Sequence, residues 1–371
     1  MLRQILKTIL SNSFISFTLA RIIYCFKRKE IISDDSPHNL NYLLNIKKDT
    51  GNSCLLKYQN DFNKTYDLAI IVPCYNVEKY IKDCVDSLLK QKTKFKYQII
   101  FVDDGSSDST FITLNKLCSN IPFITILHQT NGGAASARNL GIRHSSASYI
   151  TFVDADDLIS NDSLIENIMT ALPCDKKGTA VVEYKFSNSK CNRKSKKTII
   201  IEAKAIDLKG FACGKFYSSQ LFSNIGFPEG YAFEDTINTL IIFPLANHLY
   251  LSSEKGYVYR ERPDNSSHTS FISITAIDTF YVTKQLLHDA QVLGLTSLPD
   301  YSNLVMRQVV CNFKRILKMD RAIKEAIFVE TRKLIKNICL QPKTKLKYRN
   351  VYNALEKCDY TLYTIACSII Q

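Results

Sequence analysis

Between Asp67 and Asp157, short apolar runs alternate with segments of helical period, and this alternation restricts the possible folds more than any other feature of the chain. The runs are Leu68–Val72 (LAIIV), Tyr97–Val102 (YQIIFV), Phe123–Leu127 and Tyr149–Val153. Each is rich in β-branched or aromatic residues and too short for a buried helix, so each reads as a central strand. Between the first two, Ile81, Val85, Leu88 and Leu89 recur at helical spacing; helices are also expected around Thr110–Cys118 and Ala134–His144. Strand–helix alternation at this spacing specifies an α/β fold: a mostly parallel sheet, right-handed crossovers and helices on its faces. The loops that follow the strands then gather at one edge, where open α/β sheets bind ligands.

The fourth strand runs directly into Asp154, Asp156 and Asp157. Alternate side chains of extended backbone share a face, so Asp154 and Asp156 can point the same way. Two hard oxygen ligands suit a divalent cation that also holds a diphosphate. The plainer alternative is an acidic turn capping the next helix, with Asp157 or Ser163 as the cap.

The other strand-end loops add Pro73, Tyr75, Asp104, Asn131, Gly132, Gly133 and Arg138. By inventory this is a pocket for a nucleoside diphosphate. An aromatic ring can stack on a base, and a carboxylate at Asp104 can accept from a base N–H. Gly132 and Gly133 allow close backbone approach just before a helix N-terminus that favours anions. Arg138 can reach a phosphate. The common phosphate loops, GxGxxG and GxxxxGK[ST], are missing after the first strand. Taken singly, Asp103-Asp104-Gly105 reads as a turn or cap, Glu234-Asp235 as a solvated helix start, and Lys215 as a surface lysine. His128, His144, His248 and His268 read as structural or surface residues.

In order, VPCYNVEKYI (72–81), VDDGSSD (102–108), NGGAASARN (131–139) and VDADD (153–157) resemble the nucleotide-binding half of family 2 glycosyltransferases of the GT-A fold. GKFY (214–217), FPEGYAFEDT (227–236) and YVYRER (257–262) resemble the acceptor half, so the likeness runs from about Leu68 to Ser270. The resemblance implies an inverting enzyme with a divalent metal, Mn²⁺ or Mg²⁺, between the protein and a nucleotide-sugar diphosphate. It implies Asp156 as the metal-contacting acid, with Asp154 on the ribose or the metal. Pro73, Tyr75 and Asp104 would hold the base, and Arg138 the phosphate side. Asp235 would be the catalytic base, Glu234 its neighbour or an acceptor contact, and Lys215 would line the acceptor cleft. Arg260 and Arg262 would lie near a loop able to cover the diphosphate. Cys74 stands where a small aliphatic residue is more usual.

The flanks differ from this centre. Leu2, Ile5, Leu6, Ile9, Leu10, Phe14, Phe17 and the run Ile22–Phe26 recur at helical spacing, with Arg3, Lys7, Asn12, Ser16 and Arg21 on much of the other side. This amphipathic helix is either an interfacial anchor or packed on the domain's own surface. Residues 30–65 read as an irregular linker. The organisation expected is a helix and linker over 1–65, a GT-A domain over 66–271 and a basic helical region over 272–371. Its helices would be Ile274–Leu293, Tyr301–Lys318, Ala322–Cys339 and Leu346–Ile370.

Net charge is +13, and it is concentrated at the ends. Residues 1–29 carry six basic residues and no acids, and from Asp300 onward fourteen Lys/Arg face six Asp/Glu, which leaves the middle near neutral. A nucleic-acid enzyme would carry basic charge beside its site; basic ends on a neutral core suit an anionic membrane surface instead. The twelve Cys show no metal spacing and read as reduced, mostly buried thiols. No segment is long and apolar enough for a transmembrane helix, and a cleavable signal is not expected.

The expectation is a cytoplasmic enzyme, peripheral at the inner face of the membrane, that moves a sugar from a UDP-linked nucleotide-sugar to a lipid-linked glycan. One rival is a sugar-phosphate nucleotidyltransferase, whose glycine- and arginine-rich loop after the first strand is replaced here by PCYNVEKY. The other is a catalytically silent glycan-binding relative.

Overall fold

A computed structural model of the chain describes residues 12–57, 59–173, 177–187, 197–261, 273–338 and 345–370. The apolar runs form its sheet. Leu68–Val72 and Ile99–Val102 are buried throughout, as strands covered on both faces must be. The strands are β1 (Tyr66–Cys74), β2 (Tyr97–Asp103), β3 (Ile124–His128), β4 (Ala147–Phe152), β5 (Leu158–Ile159), β6 (Ala180–Phe186), β7 (Ile200–Glu202), β8 (Lys215–Ser218) and β9 (His248–Val258). They make one nine-stranded sheet in the order β3-β2-β1-β4-β8-β6-β9-β5, with β7 on β9. The β3-β2-β1-β4 half is parallel. The far half is mixed: β8 is antiparallel to β4 and β6, while β6 and β9 run parallel.

Register aligns the strand ends. Cys74 sits opposite Asp103, Asp103 opposite His128, and Ile71 opposite Phe152. The loops that follow therefore leave the sheet along one rim. Helices α3 (Ile81–Leu89), α4 (Thr110–Cys118), α5 (Gly133–Arg143) and α6 (Leu164–Ala171) are interleaved with these strands. Helix α5 contains Gly141 because a Cβ there would lie 2.4 Å from Cγ2 of Ile71 on β1. Phe152, Tyr217, Phe222 and Phe227 pack edge to face in the core.

His248–Val258 is one long strand with register irregularities against β6. β8 and β5 are four and two residues long, too short for a periodic signal. A π-helical segment, Asn238–Ile242, precedes α7 (Phe243–Leu245). Phe243 N–H donates to Asn238 O, five residues back. Pro244 has no N–H to give the preceding turn, so an ordinary ladder breaks there.

The chain divides into two compact units that do not follow chain order. One comprises 52–230 and 237–263, and holds the whole sheet; the other comprises 1–51, 231–236 and 264–371. The second is helical: α1 (Ser13–Cys25), α2 (Leu40–Ile46), α8 (Asp278–Val292), α9 (Tyr301–Arg315), α10 (Arg321–Asn337), α11 (Leu346–Glu356) and α12 (Tyr360–Ile369). The segment expected to be irregular carries α2, with Leu43 fully buried. The helix expected over 346–370 is two helices, because Cys358 takes a left-handed φ of 54° and Asp359 starts a new cap.

Helix α1 settles on its less apolar side. Asn12 caps it by accepting from Phe14 N–H and Ile15 N–H. Ser16 and Ala20 are buried, and it packs against α11 and α12, with Asn350 Nδ2 donating to Phe17 O at 2.9 Å. Phe14, Ile15, Ile22 and Phe26 stay exposed, Phe26 at 84%. The part expected over residues 2–11 lies outside the described residues. Among the described residues, no helix is long and apolar enough to cross a membrane, and the cysteines are free thiols, mostly buried.

Candidate active site

The rim of the parallel strands is laced together before any ligand arrives. Asp104 N–H donates to Cys74 O at 2.8 Å. Asn76, at φ 51°, accepts from Ser107 N–H at 2.8 Å and donates its own N–H to Ser106 Oγ at 3.0 Å. Pro73 and Cys74 end β1, and burial holds the Cys74 thiol well above its usual range, which removes it as a nucleophile. Tyr75 follows with its side chain half exposed on the rim, and Asn131 is also exposed there.

Asp104 has a different role from the one its position suggests. It is buried, and its carboxylate accepts from Gly132 N–H and Gln129 Nε2 on one oxygen and Gly133 N–H on the other, all within 2.8 Å. The anion that satisfies the N-terminus of α5 is therefore the protein's own carboxylate rather than a ligand phosphate. Gly105 and Gly133 permit this approach with φ of 71° and 85°. Asp103 is wholly buried, and its Oδ2 lies 2.8 Å from His128 Nδ1.

The aspartates after β4 separate by environment. Asp154 and Asp156 are half-buried and flank the buried Ala155. Arg138, buried on α5, brings Nη2 to 3.3 Å of Asp154 Oδ1, with its guanidinium 5.4 Å from the Phe227 ring. Asp157 turns inward. It accepts from Tyr257 O–H at 2.7 Å and Arg260 N–H at 2.8 Å, while the Tyr257 oxygen accepts from Asp154 N–H at 3.1 Å. Burial, then the nearby Asp154 carboxylate, pushes Asp157 up to about 7. One phenol thus joins the first and last aspartates of the loop.

Two basic residues expected at the ligand are occupied by protein. Arg260 donates from Nε to Asp156 O, from Nη1 to Asp83 Oδ2 at 3.0 Å and from Nη2 to Tyr80 O at 3.2 Å. It pins the backbone of the Asp154–Asp157 turn to the start of α3. Lys215 does not line a cleft: it is completely buried, with Nζ donating to Phe211 O at 2.8 Å and lying 3.2 Å from Glu183 Oε2. Arg262 lies outside the described residues.

Asp154 and Asp156 fit a divalent cation by donor chemistry: both are hard carboxylates, partly exposed, on a pinned turn. Among the described residues, no set of three or more such ligands occurs.

Glu234 and Asp235 belong to the helical unit. Within it, Arg315 Nη2 lies 3.6 Å from Asp235 Oδ1, and its guanidinium lies 4.2 Å from the Phe233 ring. Nη1 of Arg315 also donates to Thr236 Oγ1 and Thr279 Oγ1. Phe233 holds a φ of 67°, unusual for a bulky residue.

The sequence reading missed Gln129, Tyr257 and Arg315, which nothing local marks, and it named Asp103 and Asp157 within their motifs without foreseeing their partners.

Residues 69–238 match the profile of "Glycosyl transferase family 2". Glycosyltransferase GlyG of Streptococcus pneumoniae serotype 4 is 30% identical over 249 residues, covering 62% of this chain and 82% of the relative. The minor teichoic acid biosynthesis protein GgaB of Bacillus subtilis is 30% identical over 220 residues, which span 56% of this chain and 24% of that one. Among solved structures, S. aureus TarS 1-349 in complex with UDP-GlcNAc superposes with a TM-score of 0.63 at 21% identity, covering 81% of this chain and 90% of that chain. At that identity the likeness is one of fold.

Proposed function

The chain belongs to glycosyl transferase family 2, and from that premise we propose that it moves a sugar with inversion from a UDP-sugar to a glycan acceptor, lipid-linked, in surface polysaccharide or glycoconjugate synthesis. The observation that carries this reading is the shared register of the strand ends. Tyr75, Asp154 and Asp156 follow β1 and β4 at one edge of the parallel half-sheet, and Arg138 lies on α5, which follows β3 there; this supports a shared donor site. The printed names of GgaB and of the UDP-GlcNAc-bound TarS fragment agree with that donor and product class.

In this reading Pro73 and Tyr75 take the base, the ring of Tyr75 stacking on it. Asn131, on the loop after β3, is a further donor contact, and Asp104 and Gly133 shape that loop by their mutual hydrogen bond. Asp156, with Asp154, would hold a divalent cation, which when bound offsets charge on the departing diphosphate. Arg138 balances the acid cluster from the side of α5. Lys215 and Arg260 act from behind, one as an internal counter-ion and the other as a brace on the metal loop.

The acceptor hydroxyl oxygen bonds to the anomeric carbon from the face opposite the diphosphate. The anomeric C–O bond breaks, and its electron pair leaves with the nucleoside diphosphate. The hydroxyl proton passes to the Asp235 carboxylate, with Glu234 as an acceptor contact. No covalent nucleophile is required. Exposed Phe14, Ile22 and Phe26 on α1, followed by Lys27, Arg28 and Lys29, support peripheral attachment to an anionic membrane surface on the cytoplasmic side.

Two variants test the reading by calorimetry and turnover. Asp156→Ala should abolish the Mn²⁺-dependent part of UDP-sugar binding. Asp235→Asn should bind donor as the parent does and lose transfer by a factor of about 10²–10⁴, the usual worth of a general base. Unchanged Mn²⁺-dependent affinity in the first, or full turnover in the second, would refute the corresponding role.

A further inference from the structure

Lys47–Gly51 (KKDTG), expected to be linker, is tied to the six-residue loop that carries Glu234 and Asp235. Both segments lie in the helical unit. Asp49 Oδ1 accepts from Tyr231 O–H at 3.0 Å, and Lys284 Nζ of α8 lies 2.6 Å from Asp49 Oδ2. Lys47 Nζ stands 2.5 Å from Asp278 Oδ1, and the other oxygen of Asp278 accepts from Ala232 N–H at 3.0 Å. The Lys47 carbonyl accepts from Tyr281 O–H at 2.8 Å. Gly51 completes the contact: a Cβ there would lie 2.1 Å from the Tyr231 ring, so only glycine lets the ring sit flush on the backbone.

These ties grip the loop at a phenol and a backbone N–H, four and three residues before Asp235. On the far side of the loop, Arg315 stacks on Phe233 and approaches Asp235. A non-glycine residue at φ 67° persists only where its surroundings over-determine it. The ion pairs are largely buried, Asp278 at 4% and Asp49 at 16% side-chain exposure, so they hold geometry that surface pairs would not.

We propose that Lys47–Gly51 is a positioning clasp for the catalytic loop: through Tyr231 and Ala232, Asp49 and Lys47 orient the Asp235 carboxylate without touching donor or acceptor. The proposal rests on the reading of Asp235 as the base. Its consequence is selective. Donor binding uses residues of the other unit, whereas proton removal depends on where a carboxylate stands to within about an ångström.

The test compares Tyr231→Phe, Asp49→Asn and Gly51→Ala with the parent in the full chain. It measures kcat, donor KM, donor affinity and melting midpoint. Tyr231→Phe deletes a single hydroxyl and is the variant least able to unfold the protein. Expected is a fall in kcat of roughly tenfold or more with donor KM and affinity unchanged. In addition, Asp49→Asn placed on Asp235→Asn should cost nothing further, because both act on one step. Parent-like kcat in both Tyr231→Phe and Gly51→Ala, while Asp235→Asn stays silent, overturns the clasp and leaves the base standing. Full turnover in Asp235→Asn removes the base itself and the clasp with it. A matched loss of donor affinity, kcat and melting midpoint, or an additive loss in the double variant, marks a general packing role and also overturns the proposal.

Discussion

Asp157 shows how much one neighbour decides. Its sequence partners Asp154 and Asp156 stay half-buried at the rim, while it points into the protein and shares the Tyr257 hydroxyl with the backbone of Asp154. Tyr257→Phe would leave a buried carboxylate oxygen and a buried N–H each short of a partner, at a cost of about 1–3 kcal/mol for the unsatisfied groups. Chemical denaturation should register that loss, and Mn²⁺-dependent donor binding should weaken with it because Asp154 and Asp156 sit on the loosened turn. Parent-like stability together with parent-like affinity would show that the phenol does not brace the metal loop. The acidic cluster after β4 was legible from sequence, although the strand ends at Phe152 and Asp154–Asp157 is a turn closed by Asp157 N–H on Asp154 O rather than extended backbone. The inward turn of Asp157 was not, since its partner lies a hundred residues away. Asp104 teaches the same lesson in reverse: its motif was visible, but three N–H donors from the next loop decide what its oxygens do.

Among elements, the ones read well are those whose signal is local. The four parallel strands are continuous apolar runs, and each appeared within two residues of its expected ends. On α9, within the helix expected over Tyr301–Lys318, Leu304, Val309 and Phe313 are buried; of the two residues past its end, Ile316 is buried and Leu317 exposed. The break between α11 and α12 escaped because both helices are periodic and no glycine or proline separates them. The cap there carries two loads: Asp359 accepts from Leu362 N–H at 2.9 Å and from Tyr24 O–H of α1 at 2.5 Å. The contact with Asp359 holds the Tyr24 hydroxyl up to about 12. Asp359→Ala should cost about 0.5–2 kcal/mol for the cap alone, and more for the severed tie to α1. A thermal melt checks this, and an unchanged midpoint would mean the two helices need no cap.

At the scale of the whole chain, positive charge lies at the ends of the sequence, while the centre is near neutral. The sequence posed an anchor and a packed helix as alternatives for the N-terminal segment; α1 packs on its own unit and leaves apolar side chains exposed as well. Its Ser16–Ala20 side is buried against α11 and α12, and Phe14, Ile22 and Phe26 remain outside beside Lys27–Lys29. Deleting the helix would therefore damage the fold, and substitution is the cleaner probe. Changing Phe14, Ile22 and Phe26 to Ser, with Lys27, Arg28 and Lys29 to Gln, should abolish co-sedimentation with anionic phosphatidylserine vesicles at low salt while leaving the melting midpoint in place. The parent's binding should weaken as salt rises, because screening shortens the reach of the basic cluster. Retained vesicle binding in the substituted protein would reject the membrane surface as the partner of this face.

Taken by itself, the sequence determined the parallel half-sheet, the rim on which the ligand loops sit and the family to which the chain belongs. Those follow from apolar periodicity and from motifs only a few residues long, each set by interactions within its own segment. Tertiary structure alone decided which charged side chains are spent internally: Lys215 on Glu183, Arg260 on the Asp156 carbonyl, Asp104 on the glycines that start α5, Asp49 on Tyr231. A charge joins a site or a scaffold according to what lies within about 3 Å of it, and those neighbours come from distant parts of the chain.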